Sequence, residues 1–375
     1  MSRNRWIQLG AILLAAAALA ASTTLRGPIE RVRREHSLVI TPVGTEEAKD
    51  PRIALLEAVP GGLRAPFLTH LWIRSQELKD EGRFFDAVGL RELICDLMPH
   101  FSGVWAFHGW DMAWNISVAT HTPEERWMWV HNGLKLLRDK GLRYNPEDLV
   151  LYKELSWLFF QKMGGDTDEM HRVYKLQWLR RMEYVLGMPP TAVPTVAGPE
   201  ETPADSDPAT EAFRPIAEAP DDFAALPEPA RKLGLELAEL GAAPGPEFLR
   251  AYNRFRDDPL LPWPTEQPEG EDQTRVAGLM ADPELAEPRD QLLAFSRRQV
   301  LADQYRMDAD WMLRLMEHYG PLDWRHTMSH SIYWASLGLK KSLDLDLEDL
   351  QPTVAEAKLK ALAEAEPGEQ ERILR

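Results

Sequence analysis

Apolar side chains recur three and four residues apart along much of the chain, which is the period of a helix with a buried face. The most strongly patterned stretch is Gly103-Val104-Trp105-Ala106-Phe107-His108-Gly109-Trp110-Asp111-Met112-Ala113-Trp114-Asn115. Trp105, His108 or Gly109, and Met112 share one face, while Trp110 and Trp114 make a second face that is also aromatic. A helix apolar on two faces needs neighbours on two sides. Stacked helical repeats meet that need, because each helix pair buries one face on the pair before it and another on the pair after.

The flanking stretches read as such pairs. Asp50-Pro51 starts a short helix that stops at Pro60-Gly61-Gly62, and Pro66 opens a longer one with Leu68, Leu71, Trp72, Ser75 and Leu78 on its inner face. Gly82 ends that helix, and a second one from Phe84 carries Val88, Leu90, Ile94 and Leu97 as far as Pro99. After the aromatic helix, Asn115 to His121 reads as an inserted loop and Thr122-Pro123-Glu124-Glu125 as a capping box. The helix it opens bears Trp127, Trp129, Val130, Leu134 and Leu137 and is closed by Asn145-Pro146. A third start has Tyr152, Leu155, Ser156 and Phe159 in the same spacing, with a partner helix from about Thr167 to Leu186.

The stretch 68–101 resembles a tetratricopeptide repeat, with Leu71, Ser75 and Leu78 on its first helix, Gly82-Arg83-Phe84 at the turn, Ala87 on its second helix and Pro99 at the end. Trp105, Gly109 and Met112 take the corresponding places at the start of the next unit. A narrower resemblance rests on His108-Gly109-Trp110 with Asn115-Ile116-Ser117, on Tyr319-Gly320-Pro321-Leu322-Asp323-Trp324-Arg325, and on Ile332-Tyr333-Trp334-Ala335. These residues are similar to a family of uncharacterised membrane-anchored helical-repeat proteins of planctomycete-type bacteria. That likeness implies an architecture and a bacterial setting, and no mechanism.

The expected fold is all-α: helix-hairpin repeats of tetratricopeptide type forming an α-solenoid, with an N-terminal anchor and a proline-rich acidic linker. Residues 1–36 hold Arg3 and Arg5, the small apolar run Gly10 to Ala21, and a flank with Arg26, Arg31, Arg33 and Arg34. The run suits a signal peptide or anchor, Ala18-Leu19-Ala20 offers a cleavage site, and the basic flank favours retention. A single N-terminal tether to the bacterial cell membrane, or a cleaved signal, is expected, with the body outside the cytoplasm. Repeats then occupy 37–188, a disordered linker 189–230, a weakly structured connector 231–289 with short helices around Ala230–Leu240 and Pro246–Arg256, and a second helical region 290–375. In that last region Asp290 begins a first helix, Asp308 caps a second that ends at Gly320-Pro321, and a third runs from about Trp324 to Leu343. Ala355 to Arg375 reads as a charged surface helix.

The formal charge of −16 over 375 residues, with no basic stripe, argues against a nucleic-acid partner. Cys95 is the single cysteine, which rules out an intrachain disulfide and any site of several cysteines. Neither a phosphate-binding glycine loop nor a nucleophile elbow occurs, and no cofactor is expected. His326 and His330 lie four apart, with Asp323 three residues before His326, a spacing open to a metal site but also to helix capping and interlayer hydrogen bonds, and no metal is assigned. His108 and Asp111 have the spacing of an acid–base pair or of a structural contact.

The function expected is a membrane-tethered scaffold or adaptor that docks a protein partner, alone or as part of a membrane complex, in a groove of first helices. Trp72, Arg74, His108, Asp111, Asn115 and Lys153 are its candidate contact residues. The alternative is an enzyme of the cell envelope or a glycan-binding protein that uses the tryptophans as stacking platforms. The enzyme reading requires paired carboxylates in a deep pocket.

Overall fold

The computed structural model describes residues 61–188, 207–257, Trp263 and 271–350, together with a few isolated positions near the N-terminus. Every secondary-structure element in the described residues is a helix, as the periodicity predicts. Helices α1 (Gly61–Asp80) and α2 (Phe84–Leu97) pack on each other around Leu71, Leu78, Ala87 and Ile94. The turn between them is tight because Gly82 takes φ +76°, which costs glycine little, and the Arg83 N–H then reaches the Leu78 carbonyl at 2.8 Å. The break expected at Gly61-Gly62 is instead the first turn of α1, and Pro66 lies within that helix. So close to a helix start, proline removes a single ladder bond.

Helix α3 starts as Ser102–Trp110, widens into a π-helical turn at Asp111–Ile116 and ends with Ser117–Ala119. Most of the loop expected at Asn115–His121 is therefore helix. No glycine or proline interrupts it, and the change from i→i+4 to i→i+5 bonding accommodates residues that a uniform α-helix would turn onto another face. Helix α4 repeats the design with Pro123–Lys135, a π turn at Leu136–Gly141 and Leu142–Tyr144, and α5 with Leu149–Trp157 followed by a π turn at Leu158–Gly164. The capping box forms as expected, the Glu125 N–H donating to Thr122 Oγ1 at 3.2 Å and the Thr122 N–H to the Glu125 carboxylate at 3.3 Å. Helices α3 and α4 touch backbone to backbone, since a methyl group placed on Gly133 would lie 2.6 Å from the Gly109 carbonyl oxygen. Helix α6 (His171–Leu186) completes the first region.

Residues 207–230 are not a disordered linker. Asp207 caps α7 (Pro208–Ala217), with proline in the first turn, and α8 (Glu228–Glu239) follows. The acidic composition hides a sparse but sufficient apolar pattern, because Phe213, Ile216, Leu226 and Ala230 all bury. In the connector over 231–289, the expected short helices appear as the body of α8 and as α9 (Pro246–Asp257), and α10 (Glu271–Ala281) is a further helix that the sequence pattern did not mark. Helices α11 (Ala286–Tyr305), α12 (Ala309–Tyr319) and α13 (Thr327–Leu343) match the three expected late helices. Asp308 caps α12 with bonds of 2.9 Å and 3.3 Å to two backbone N–H groups.

The two helical regions share one core. Helix α13 lies along α5, where Gly338 leaves room for Tyr152, and Ser156 Oγ meets the Ser331 carbonyl at 3.0 Å. Helix α6 touches α9 and α11, so residues on both sides of the acidic segment belong to one hydrophobic cluster. No helix among the described residues is long and apolar enough to cross a membrane. The signal or anchor run (apart from its isolated positions), the Asp50-Pro51 helix, residues 189–206 and Ala355–Arg375 lie outside the described residues.

Candidate functional site

Where α1 meets α3, four aromatic rings form a row. Ring centroids are 5.0 Å apart for Trp72 and Phe107, 6.3 Å for Phe107 and Trp110, and 6.4 Å for Trp110 and Trp114, whose planes lie within 15°. Trp72, Phe107 and Trp110 retain 37%, 38% and 37% of their surface, so the row faces solvent although it is made of the largest apolar side chains. Trp105 shows the contrast within one helix: it is buried, stacked on Tyr144, and donates its Nε1–H to the Pro99 carbonyl at 2.9 Å. Of the two aromatic faces of α3, one is core and the other is surface.

Beneath the row Asp111 is fully buried. Its Oδ1 accepts from Lys79 Nζ of α1 at 2.8 Å and from Asn115 Nδ2 at 2.6 Å, and its Oδ2 accepts from the Arg91 guanidinium of α2. Burial pushes the carboxyl up, but the Asn115 and Lys79 hydrogen bonds and the Arg91 and Lys79 charges more than reverse it, so its pKa lies below the usual carboxylate range. Asp111 is thus a fixed anion that ties α1, α2 and α3 together. It is not the acid–base partner of His108, whose ring nitrogens make no hydrogen bond among the described residues. His108 lies under Trp72, with ring centroids 5.2 Å apart. Burial and the Arg91 charge lower its pKa to about 3, so it is neutral in the folded protein.

Each of the three π turns carries one buried charge: Asp111 in α3, Arg138 in α4 and Lys162 in α5. Arg138 pairs with Asp139 at 2.7 Å, and Lys162 pairs with Asp168 at 2.5 Å while lying 6.0 Å from the centre of the Trp114 ring. Asp111 thus lies beneath the row and Lys162 beside its last ring, whereas Arg138 lies over the Tyr305 ring of α11.

No family model, curated protein or solved structure matches this chain. Its site is therefore read from its own geometry. Of the expected contact residues, Trp72, His108, Asp111 and Asn115 come together, with Trp72 on the surface and His108 and Asp111 supporting it from below. Arg74 is partly exposed and paired with Glu77 at 2.9 Å, while Lys153 is exposed and paired with its neighbour Glu154 at 3.4 Å. Neither joins the Asp111 network.

Asp323, His326 and His330 do not converge, and no group of three metal-ligating side chains forms among the described residues. His326 caps α13, accepting from the Met328 N–H at 3.2 Å, and Asp323 accepts from the Arg325 N–H at 3.0 Å. His330 is fully buried, with Nε2 2.7 Å from the Trp324 carbonyl and its ring stacked on Phe159. Lys79, Arg91 and Lys162 are functional-layer residues that the pattern did not single out. Their signal was present: Arg91 lies three residues before Ile94 and Lys162 three after Phe159, so each is a charge on an otherwise apolar face.

Proposed function

We propose that the protein is a helical-repeat scaffold that docks an extended or helical peptide segment of a protein partner on the row Trp72, Phe107, Trp110 and Trp114. The observation that carries this reading is the set of solvent-facing rings Trp72, Phe107 and Trp110, continued by half-buried Trp114, above the buried ion pairs of Asp111. Large apolar side chains gather at the surface where they gain contact area in a complex, and aromatic anchors supply most of the binding energy in such interfaces. A tetratricopeptide-like repeat is supported by the pairing of α1 with α2 and of α3 with α4, by the Gly82 turn, and by Gly109 in close contact with Leu137. The arginine-flanked apolar run before residue 36 supports a membrane tether.

The near-parallel Trp110 and Trp114 rings favour one second reading, a platform for a sugar ring. The enzymatic version of that reading has less support, because both oxygens of Asp111 are occupied by cationic or amide donors. The test is chemical crosslinking and affinity capture of the tagged full-length chain, with Phe107→Ser/Trp110→Ser as the control. The scaffold reading expects one near-stoichiometric protein, lost in the double variant while its melting temperature is kept. Recovery of the chain alone, or of the same partner with both variants, sinks it. Glycan-array binding lost in the double variant moves the site to the second reading.

A further inference from the structure

Away from the aromatic row, the C-terminal end of α6, α7, α9, α11 and the connection from α12 to α13 line a half-open cavity of about 410 Å³. Its apolar wall is Leu186, Phe213, Ile216, Met316, Leu322 and Trp324. Its charged lining is Arg256, Arg297 and Arg325 against the single acid Asp323.

The three guanidinium groups converge on Gly187. A methyl group built there would lie 3.2 Å from Arg297 Nη2 and 3.3 Å from Arg256 Nη1, so two cationic nitrogens border the same small space. The third, Arg325, donates from Nε to the Gly187 carbonyl at 2.9 Å. Gly187 has φ +77°, and its bare Cα is what leaves that space open.

The charges here are poorly compensated. Arg256 pairs with Asp257 at 2.9 Å and Arg325 with Asp323 at 3.0 Å, but those carboxylates are 66% and 53% exposed and face water as much as the cavity. Arg297 forms no ion pair among the described residues, and its Nε is buried without a hydrogen-bond partner. Arg297 as a whole is half-buried, with the Asp290 charge acting on it only through space, and a half-buried cation without an ion-pair partner is costly to a fold. Three guanidiniums beside an apolar wall match a ligand with an oxyanion at one end and a hydrocarbon body at the other, because guanidinium pairs with carboxylate and phosphate oxygens by parallel N–H donation. The volume falls within the range of small-molecule sites.

We propose that this cavity binds a small organic anion, a carboxylate or phosphate monoester, with its head among Arg256, Arg297 and Arg325 and its apolar body against Phe213, Leu322 and Trp324. This site is independent of peptide docking on the aromatic row. Segment 207–217 is then not a spacer, because Phe213 of α7 forms part of its wall.

The test is isothermal titration calorimetry of the full-length chain with hexyl phosphate and hexanoate, and with inorganic phosphate and hexanol as half-ligands. One saturable site is expected for at least one of the two amphipathic anions, with binding at least tenfold weaker for inorganic phosphate and none for hexanol. The tighter of hexyl phosphate and hexanoate identifies the head group. Arg297→Met is expected to weaken binding at least tenfold while the protein melts no lower than wild type, and Arg256→Gln, at a partly exposed position, gives a second reading should the first variant fold poorly. Binding of neither anion, equal binding of hexanol, or unchanged affinity in the folded variants overturns the proposal.

Discussion

Lys79 and Arg91 at Asp111, and Arg256, Arg297 and Arg325 at Gly187, are two clusters of cations on the same helical array. At Asp111 a buried carboxylate meets both cations, and Asn115 supplies a third hydrogen bond. At Gly187 the nearest paired acids stand more than half exposed, and Arg297 makes no ion pair among the described residues, with only the more distant charge of Asp290 acting on it. The first cluster has its counter-charge built in and holds three helices in register. The second leaves cationic donors facing a cavity. The two clusters differ in compensation, which separates a structural charge from a binding charge.

The sharpest break of this contrast is Asp111→Ala. It leaves Arg91 and Lys79 without their anion, and the expected loss is about 3–5 kcal/mol in urea unfolding. Next in size is a pH effect carried by neutral buried bases. His108, His131 (stacked on Trp127) and His330 each have a pKa lowered to about 3 from 6.5, with burial as the leading cause. Their folded values lie below the unfolded one, so the unfolded chain binds more protons, and stability is full above pH 6.5 and falls as pH drops towards 3. About 1 kcal/mol per histidine per pH unit is expected between pH 6 and pH 5, read as a falling urea midpoint with proton uptake on unfolding. A flat midpoint over that interval would show that these rings are protonated within the fold.

Gly133→Ala comes third. Its new methyl group meets the Gly109 carbonyl at 2.6 Å, and backbone cannot move aside as a side-chain tip can. Forcing α3 from α4 is expected to cost about 1–3 kcal/mol. Smallest is Trp110→Ala, where a ring already 37% exposed is lost and the stability change is expected to stay below about 1 kcal/mol, in contrast to about 3–5 kcal/mol for the buried Trp105→Ala. Equal losses at Trp105 and Trp110 would make the outer row a second core.

Helix identity was legible wherever apolar spacing was dense, as at Trp105 and Met112 or Leu293 and Val300. The caps at Thr122, Asp308 and Gly82 were legible because capping uses few residue types in fixed places. Three features were not. Segment 207–230 buries its core with few side chains among many acids, so its composition masked Phe213 and Ile216. The π turns change the face of each residue after them, and a fixed helical period therefore left Asn115–Ala119 in a loop. The arginine cavity gathers Arg256, Arg297 and Arg325 from distant parts of the chain, and a tertiary convergence of that kind has no local pattern. Half of the aromatic row was visible as the Trp110 and Trp114 spacing, whereas its continuation to Phe107 and Trp72 depends on how α1 crosses α3.

The contrast between the two clusters is tested most directly by urea unfolding of Arg297→Met beside Asp111→Ala and wild type at pH 8, where carboxylates are ionised and the histidines neutral. The expected result is a midpoint for Arg297→Met at or above that of wild type, because a half-buried charge without an ion-pair partner is removed, and a much lower midpoint for Asp111→Ala. A loss at Arg297→Met as large as that at Asp111→Ala would contradict the account, since it would mean that the arginine is compensated within the fold and serves the structure itself.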